Sequence, residues 1–162
     1  MTGRDRMLRA LRFEETDRPP HFEAMFELEK EAFGLQFPDR SLWTGCSPPQ
    51  KERMIATCME VYARIVERYE WDALAVFWPW SDPDGVARAR EAFGDRILVG
   101  SMVGHSIWAI ESVGDWDQFA ADLFENPGRI HEEAERRCLA ALEHIDRLLD
   151  AGADFINLVN DV

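Results

Sequence analysis

The sequence has few cysteines, and they do not form the close pairs that disulfide frameworks and zinc sites need. The 162 residues contain three, Cys46, Cys58 and Cys138, an odd number at wide spacing with no CxxC. This spacing excludes a disulfide framework and a zinc knuckle. Cys58 and Cys138 fall on the apolar faces of two predicted helices, where we expect small core residues.

Positive charge is also scarce. The chain has 18 lysines and arginines against 31 aspartates and glutamates, for a formal net charge of −13. Nucleic acids and anionic membranes need a basic footprint, so neither is predicted as a partner, and a poly-anionic substrate is disfavoured. Long apolar runs are missing too, since no stretch approaches the roughly 18 residues of a membrane span. We therefore predict a cytoplasmic protein with no membrane contact.

The sequence shows no glycine-rich phosphate loop, no nucleophile–base pair and no hairpin signal. Instead, strands and helices alternate along it. Apolar runs predict strands at 21–25, 73–78, 97–103 and 155–160, with amphipathic helices between them. Alternation of this kind is typical of a parallel α/β fold. With 46% hydrophobic residues in 162, the chain fits a single domain over 1–162.

Two long helices have clear boundary signals. Ser47 is expected to cap a helix over 48–69 that begins with a proline. Pro127 begins a second helix, over 127–151, and Gly152 follows it as the glycine that ends a helix. We expect both helices to pack on one face of the sheet.

One structural unit occurs twice in the sequence. A long helix, a short turn, an aspartate and an apolar strand follow one another around Asp72 and again around Asp154. Both aspartates precede strands, at the stabilising end of a barrel, so we interpret them as structural. Four parallel strands in sequence order are half of a (β/α)8 TIM barrel. The predicted fold is therefore α/β, an N-terminal half-barrel that is truncated after strand four.

Polar and aromatic residues cluster at the predicted carboxyl ends of the strands, where barrels hold their active sites. The catalytic candidates are His105, a ligand or proton carrier; Glu23, a base or a contact to a substrate nitrogen; and Asp161, at the end of the last strand. The predicted substrate-binding residues, with Glu27 beside them, are His21, Trp78, Trp80, Asp82 and Asn160.

Each candidate also has an alternative interpretation. His105 fits a loop histidine bonded to backbone, Glu23 a solvated edge carboxylate and Asp161 a solvated terminal residue. Trp78 and Trp80 fit either an aromatic lip for a flat ligand such as a corrin or simple packing over the barrel mouth. Two histidines of the second long helix are expected at the surface: His131 and His144.

Four motifs resemble one enzyme superfamily in their order and spacing. They are MLRALRFEETDRPP at 7–20, YEWDALAVF at 69–77, DLFENP at 122–127 and AGADFINLVND at 151–161. Together they resemble the N-terminal half of the uroporphyrinogen decarboxylase superfamily, which also contains corrinoid-dependent methyltransferases. The resemblance covers nearly all of the chain and implies a TIM barrel of about twice its length.

Two departures from that superfamily argue against porphyrinogen chemistry. The decarboxylases have an arginine-rich RQAGRY loop after strand one, which pairs with substrate carboxylates, whereas residues 22–30 here read FEAMFELEK. Their aspartate after strand two is replaced by Trp78-Pro79-Trp80, and Asp82 follows a few residues later. The resemblance therefore implies a methyltransferase-like member.

The cofactors and partners follow from the same resemblance. The methyltransferase-like relatives bind zinc through a His-x-Cys pair and a later Cys in the second half of the barrel, so this chain is assigned no metal ligand and no complete cofactor site. A small molecule and a corrinoid protein are the implied substrates. An apolar last strand with no further partner predicts a homo-oligomer or pairing with a missing C-terminal half.

Three functions remain open from the sequence. The first is an incomplete corrinoid-dependent methyltransferase, and the second is a uroporphyrinogen decarboxylase. The third is a non-catalytic half-barrel that pairs with a second chain as an assembly module. Whether the chain acts as an enzyme by itself is not determined by these patterns.

Overall fold

A computed structural model describes residues 1–104 and 113–159 of the chain as a mixed α/β structure. No helix within these residues is long and apolar enough to cross a membrane. The elements, in chain order, are α1 (Gly3–Leu11), α2 (Glu29–Phe33), a 3₁₀ helix (Arg40–Leu42), α3 (Pro48–Tyr69), β1 (Ala73–Val76), α4 (Pro83–Phe93), β2 (Leu98–Gly104), α5 (Trp116–Glu125), α6 (Pro127–Asp150) and β3 (Phe155–Val159).

The three strands form one parallel sheet in the order β1-β2-β3. Leu74 of β1 lies opposite Val99 of β2, and Ser101 of β2 lies opposite Ile156 of β3. Helix α4 connects β1 to β2, and helices α5 and α6 lie between β2 and β3 in the sequence, as parallel neighbours require. The predicted parallel pairing in sequence order is confirmed for these three strands.

The prediction of a first strand at 21–25 is wrong. In the described part of the chain this segment has no regular secondary structure, bends at Ala24 and belongs to no sheet. Its backbone is bonded at its start, where the Asp72 amide donates to the His21 carbonyl oxygen at 2.8 Å. The His21 amide in turn donates to the Asp72 carboxylate at 2.7 Å. A strand needs such bonds repeated along its length, so the segment lies beside β1 without extending the sheet.

The core lies between the helices and one face of the sheet. Leu74 of β1 and Val99 of β2 are buried there. Val61 and Ile65 of α3 and Leu148 of α6 join the same buried cluster. Helices α3 and α6 therefore pack on the same face, as predicted.

Helix α6 is less buried than its apolar stripe predicts. Its one fully buried residue is Leu148, whereas Cys138, Leu142 and Leu149 are exposed. The prediction that Cys138 is a core residue is therefore wrong, while Cys58 is buried as predicted. Periodicity identifies the apolar face of a helix, but burial depends on what covers that face.

Capping contacts lie at the ends of the helices, and those of α3 and α6 are at the predicted residues. The Thr2 hydroxyl accepts from the Asp5 amide at 3.0 Å at the start of α1. The Gln50 side chain accepts from the Ser47 amide at 2.9 Å at the start of α3. Gly152 follows α6 with φ of 99°, a conformation that a side chain would strain.

Two other glycines permit close approaches at the sheet. A Cβ on Gly3 would lie 2.9 Å from the Asp72 Cα atom, so α1 lies directly against the amino end of the sheet. A Cβ on Gly100 would lie 2.6 Å from the Phe155 ring, which lies over β2 at this point. Neither position leaves room for a side chain without movement of its neighbour.

Candidate functional site

The turn after β1 has an unusual backbone. Trp78 and Pro79 are joined by a cis peptide bond, and Trp80 and Ser81 have positive φ angles of 42° and 55°. Residues with a Cβ rarely adopt such φ values, so neighbouring contacts must hold the turn in place. The turn ends at Asp82, which caps α4.

Tyr62 of α3 holds this turn from the helix side. Its hydroxyl accepts from the Trp78 amide at 2.6 Å and donates to the Trp78 carbonyl oxygen at 3.0 Å. Burial raises the pKa of Tyr62 well above its usual value, so the hydroxyl stays protonated and donates. The Ser81 hydroxyl donates to the Met102 carbonyl oxygen at 2.5 Å. The turn is therefore positioned by α3 and β2 together.

Aromatic rings surround the turn. Phe37 stacks on Trp78 with ring centroids 5.7 Å apart and an interplanar angle of 27°. Phe77 and Trp80 each meet the Trp78 ring edge to face at 4.9 Å. Trp78 thus packs against the buried core, and this geometry favours the packing interpretation for Trp78 over an open aromatic lip.

Trp80 contacts a second tryptophan, Trp43, as well as Trp78. Its ring is 5.5 Å from that of Trp43, and the Lys51 ammonium lies 5.3 Å from the Trp43 ring centroid. The Trp80 Nε1 atom is buried and has no hydrogen-bond partner in the described part of the chain. A buried N–H without an acceptor costs free energy, so Trp80 offers an unused donor beside the turn.

A partly enclosed cavity lies between the 21–27 segment and the aromatic rings, and we call it the aromatic cavity. The described residues that line it are Ala24, Met25, Phe26, Glu27, Phe37, Tyr62, Trp71, Ala75, Phe77 and Trp78. Six of these ten are aromatic, and Glu27 is the charged one among them. Its volume is about 10 Å³, room for about one water molecule, so the rings largely fill the space between them in this structure.

Glu29 places a second carboxylate near this cavity. Its Oε2 atom is buried without a hydrogen-bond partner among the described residues. Burial is the main cause of the raised Tyr62 pKa, and the charge of Glu29 raises that pKa further. Glu29 therefore acts electrostatically on a residue of the cavity wall.

His21 and Glu23 are not at the carboxyl end of the sheet, contrary to the prediction. The His21 backbone is bonded to Asp72, which precedes β1, and its Nδ1 atom lies 2.9 Å from the Tyr69 carbonyl oxygen. Glu23 is exposed, and its carboxylate lies 3.7 Å from the His21 ring. Later residues of the segment, including Glu27, line the aromatic cavity instead.

Asp82 has a structural use in this fold. Its carboxylate accepts from the Asp84 amide at 2.9 Å, which caps α4. It also pairs with Lys51 at 3.1 Å. These contacts account for Asp82 without a substrate, and they differ from the substrate-binding role that its position after the strand predicts.

The remaining predicted residues lie outside the described residues: His105, Asn160 and Asp161. They directly follow β2 and β3 in the sequence, and the last residues of these strands, Gly104 and Val159, lie opposite each other. Their proposed roles stay predictions.

Sequence reasoning misses Tyr62, Phe37 and His144. The helix period places Tyr62 on the buried face of α3, and a buried phenol needs a hydrogen-bond partner, so a signal for its role is present. Phe37 lies in a loop with no periodic signal. His144 is predicted at the surface but is half-buried. Burial and the charge of Arg147 lower its pKa, although the backbone of Ser81 opposes this.

No group of three or more His, Cys, Asp or Glu side chains among the described residues is arranged to hold a metal ion. The described residues around the turn present aromatic rings, which can bind and orient a ligand and exclude water, with carboxylates nearby. Comparisons of the chain with protein-family models, with curated proteins and with solved structures gave no match.

Proposed function

We propose that this chain forms the donor-binding wall of a methyl-transferring enzyme with an α/β-barrel fold. The enzyme would resemble the corrinoid-dependent methyltransferases of the uroporphyrinogen decarboxylase superfamily. The observation that carries the proposal is the cluster of aromatic rings around the turn after β1, where the Trp80 N–H has no partner among the described residues. Parallel α/β enzymes bind their substrates where strands end and turns begin. The parallel order of β1, β2 and β3 supports a barrel of which they are consecutive strands.

The aromatic rings at the carboxyl end of β1 suit a donor whose methyl group must be kept from water. The rings of Phe26, Phe77 and Trp78 present carbon surfaces to the cavity. Water competes with the intended nucleophile in group transfer, so a dry wall protects the donor. The fixed turn, held by Tyr62, also keeps the wall rigid and so limits the directions that a bound donor can take.

Trp80 and Trp43 fit a flat methyl acceptor better than Trp78 does. Trp78 packs between Phe37 and two further rings. Trp80 and Trp43 are half-buried, and the Trp80 N–H has no partner in the described chain. We propose that these two rings contact the edge of a corrin and that the free N–H donates to one of its amide oxygens. A corrinoid, when bound, supplies the atom that accepts the methyl group.

A tetrapyrrole decarboxylase fits the described residues poorly. Uroporphyrinogen carries many carboxylates, and its binding calls for arginines. None of the described residues that line the aromatic cavity is basic, and Glu27 is among them. Like charges repel in a site of low polarity, so this alternative has the weaker support.

A non-catalytic assembly role is the second candidate. It is favoured by the outer side of β3, where Leu158 and Val159 are 58% and 41% exposed. Exposed apolar residues on the edge of a sheet invite pairing with another chain.

Carbon-13 NMR tests the proposal directly. The protein is incubated with a reduced corrinoid and with methyl-labelled ethers or methylammonium compounds. We expect loss of the donor methyl signal above the protein-free background, and slower loss with Phe77→Leu, which removes a ring from the cavity wall. Loss at the background rate for every donor would contradict the proposal. In parallel, uroporphyrinogen should release no carbon dioxide, and release that depends on Asp82 would favour the decarboxylase.

A further inference from the structure

Trp80 is held in the turn after β1 by its ring alone. Neither its backbone nor its Nε1 atom makes a hydrogen bond with the described residues. Its ring contacts are to Trp78, with centroids 4.9 Å apart, and to Trp43, with centroids 5.5 Å apart. The position of the Trp80 side chain therefore depends on these two aromatic contacts.

The residues on either side of Trp80 are fixed by hydrogen bonds. The Trp78 amide and carbonyl both bond to the Tyr62 hydroxyl. The Ser81 amide donates to the Phe77 carbonyl oxygen at 2.7 Å, and the Ser81 hydroxyl donates to a backbone oxygen of β2 at 2.5 Å. Trp80 is thus the residue of the turn that can move while its bonded neighbours stay in place.

The inward position of Trp80 has two unfavourable features. Its φ angle of 42° lies in the left-handed region, which a residue with a Cβ adopts only at a cost. Its N–H is buried without an acceptor in residues 1–104 and 113–159, and a buried donor that gives up water without a new partner loses free energy. Both costs are relieved when the backbone relaxes and the indole turns toward water. The free-energy gap between an inward and an outward position is therefore reduced, and a small gap leaves both states populated.

We propose that Trp80 is a mobile gate at the carboxyl end of β1. Turned inward, its indole fills the space against Trp78 and Trp43. Turned outward, it leaves a slot of the size of an indole beside those two rings and presents its N–H to a ligand. A flat, unsaturated ring with a hydrogen-bond acceptor at its edge suits this slot, because it replaces the lost ring contacts and bonds to the N–H.

The inference deepens the proposed function. A buried N–H does not reach an amide oxygen of a corrin, whereas the N–H of an outward Trp80 does. The identity of the ligand therefore rests on the proposed function. The motion itself does not, because it follows from the contacts of Trp80 in the ligand-free chain.

Hydrogen exchange of the indole N–H groups, followed by nitrogen-15 NMR of the full chain, tests the motion. The chain has six tryptophans, and Trp80→Phe identifies the signal of Trp80. An outward population of about 0.1–10% lets the Trp80 N–H exchange only about 10- to 1,000-fold more slowly than a free indole, at a rate that low urea leaves unchanged. Trp71 is the internal control because it is buried in the core. Its N–H should exchange at the much lower rate set by global unfolding, which urea raises.

A pair of variants tests what holds the gate inward. Trp43→Ala removes one of the two ring contacts of Trp80 and should raise the exchange rate of the Trp80 N–H about two- to tenfold. Trp116→Ala is the matched control, since it removes an exposed indole of α5 whose described ring contact is to Phe119. This control should leave the exchange rate of the Trp80 N–H unchanged.

Titration with cobinamide, a corrinoid that carries several amide groups, tests the ligand. We expect the Trp80 indole signal to shift and its N–H to exchange more slowly in the complex. Trp80→Phe should weaken the binding of cobinamide about fivefold, as expected for the loss of one neutral hydrogen bond.

A Trp80 N–H that exchanges as slowly as that of Trp71, with the same response to urea, would overturn the inference. Equal effects of Trp43→Ala and Trp116→Ala would also overturn it. Fast exchange at Trp80 with no effect of cobinamide would uphold the motion and contradict the corrin ligand of the proposed function. Binding of cobinamide by a chain whose Trp80 N–H stays protected would support that function and overturn the gate.

Discussion

The two ends of the sheet are built from different interactions. At the amino end, Asp72 and Asp154 precede β1 and β3, and arginines and backbone amides surround each carboxylate. At the carboxyl end of β1, aromatic rings surround a turn with positive φ angles, and the Trp80 N–H has no acceptor among the described residues. One end satisfies its polar groups fully, and the other leaves some of them unused.

The network at Asp72 joins three parts of the chain. Its carboxylate lies 2.5 Å from an Arg6 nitrogen and 2.7 Å from an Arg18 nitrogen. It also accepts from the His21 amide at 2.7 Å. Arg6 further pairs with Asp17, whose pKa is lowered mainly by that hydrogen bond. The buried carboxylate thus has a hydrogen-bond partner from each of these three parts of the chain.

Asp154 repeats the arrangement before β3. Arg4 and Arg90 approach its carboxylate at 2.5 Å and 2.8 Å, and the Val99 amide donates to it at 3.0 Å. Burial alone would raise the pKa of Asp154. The hydrogen bonds from Arg4 and Val99 outweigh this, so its pKa is lowered.

The difference between the two ends indicates that the amino end of the sheet contributes to stability and the carboxyl end to function. A polar group with a full set of partners gains nothing from a ligand, whereas an unpartnered donor or carboxylate does. In parallel α/β folds the amino end of the sheet contributes stability and the carboxyl end contributes chemistry. The structural interpretation of Asp72 and Asp154 agrees with their contacts.

The largest effect is expected from Asp72→Ala. It leaves buried Arg6 without one of its partners and removes the acceptor of the His21 amide, which should cost about 3–5 kcal/mol of unfolding free energy. Urea denaturation measures the loss. Asp95→Ala is the control, because the Asp95 side chain is 83% exposed and should cost less than about 1 kcal/mol. Similar losses for both would contradict the contrast between the ends.

The outer edge of β3 should mediate self-association. Among the described residues β3 pairs with β2 alone, and Leu158 is 58% exposed. Leu158→Lys should weaken a dimer by about 2 kcal/mol or more, roughly thirtyfold in dissociation constant, as measured by sedimentation. Leu139→Lys is the matched control on α6, at 60% exposure. A wild-type chain that stays monomeric at high micromolar concentration would refute the association.

Tyr62→Phe should act on the carboxyl end. It leaves the Trp78 amide and carbonyl without their shared partner, which should cost about 1–2 kcal/mol and change tryptophan fluorescence at the turn. The control is Tyr69→Phe, at the other tyrosine of α3. If both variants keep the wild-type emission and midpoint, Tyr62 does not hold the turn.

The two ends should also respond to different ranges of pH. The pKa of Asp154 is lowered on folding, so its contribution is complete above the unfolded value of about 3.9 and is lost as the pH falls through the folded pKa. The pKa of His144 is lowered by burial, so stability declines as the pH falls below about 6.5. His144→Gln should flatten the pH profile of the unfolding midpoint near pH 6, and Asp154→Asn should flatten it below pH 4. A single acidic transition, unchanged by either variant, would contradict this separation.

Local sequence patterns predict where the helices and strands of this fold lie, but they predict less well which of their residues are buried or bonded to a neighbour. The caps of α1 and α3, the end of α6 and the parallel strands all follow from turn residues and apolar periods. The 21–25 segment is different, because its strand-like composition does not specify bonded neighbours, and only the folded chain shows that its backbone bonds stop at Asp72. The exposure of Leu142 on α6 has the same origin, since the period of a helix does not determine what covers it.

The candidate site was harder to predict than the fold. Trp78 follows from the end of a strand, but the aromatic cavity also needs Phe26 and Phe37, which lie far from it in sequence. His21 and Glu23 are close to the cavity residues in sequence but lie at the other end of β1. Which of these residues lie close together in space depends on tertiary packing, which a single sequence does not show.

The Arg4–Asp154 ion pair joins residues separated by 150 positions, and this has a consequence for the order of events on the ribosome. At synthesis rates of about 5–20 residues per second, the acceptor is made roughly 8–30 s after the donor. Until then α1 can dock through Asp72 and the Arg96 carbonyl oxygen, but without its contact to Asp154. The nascent protein should therefore expose the amino end of its sheet to chaperones and proteases for most of its translation. Protease resistance in that region should appear late and in a single step.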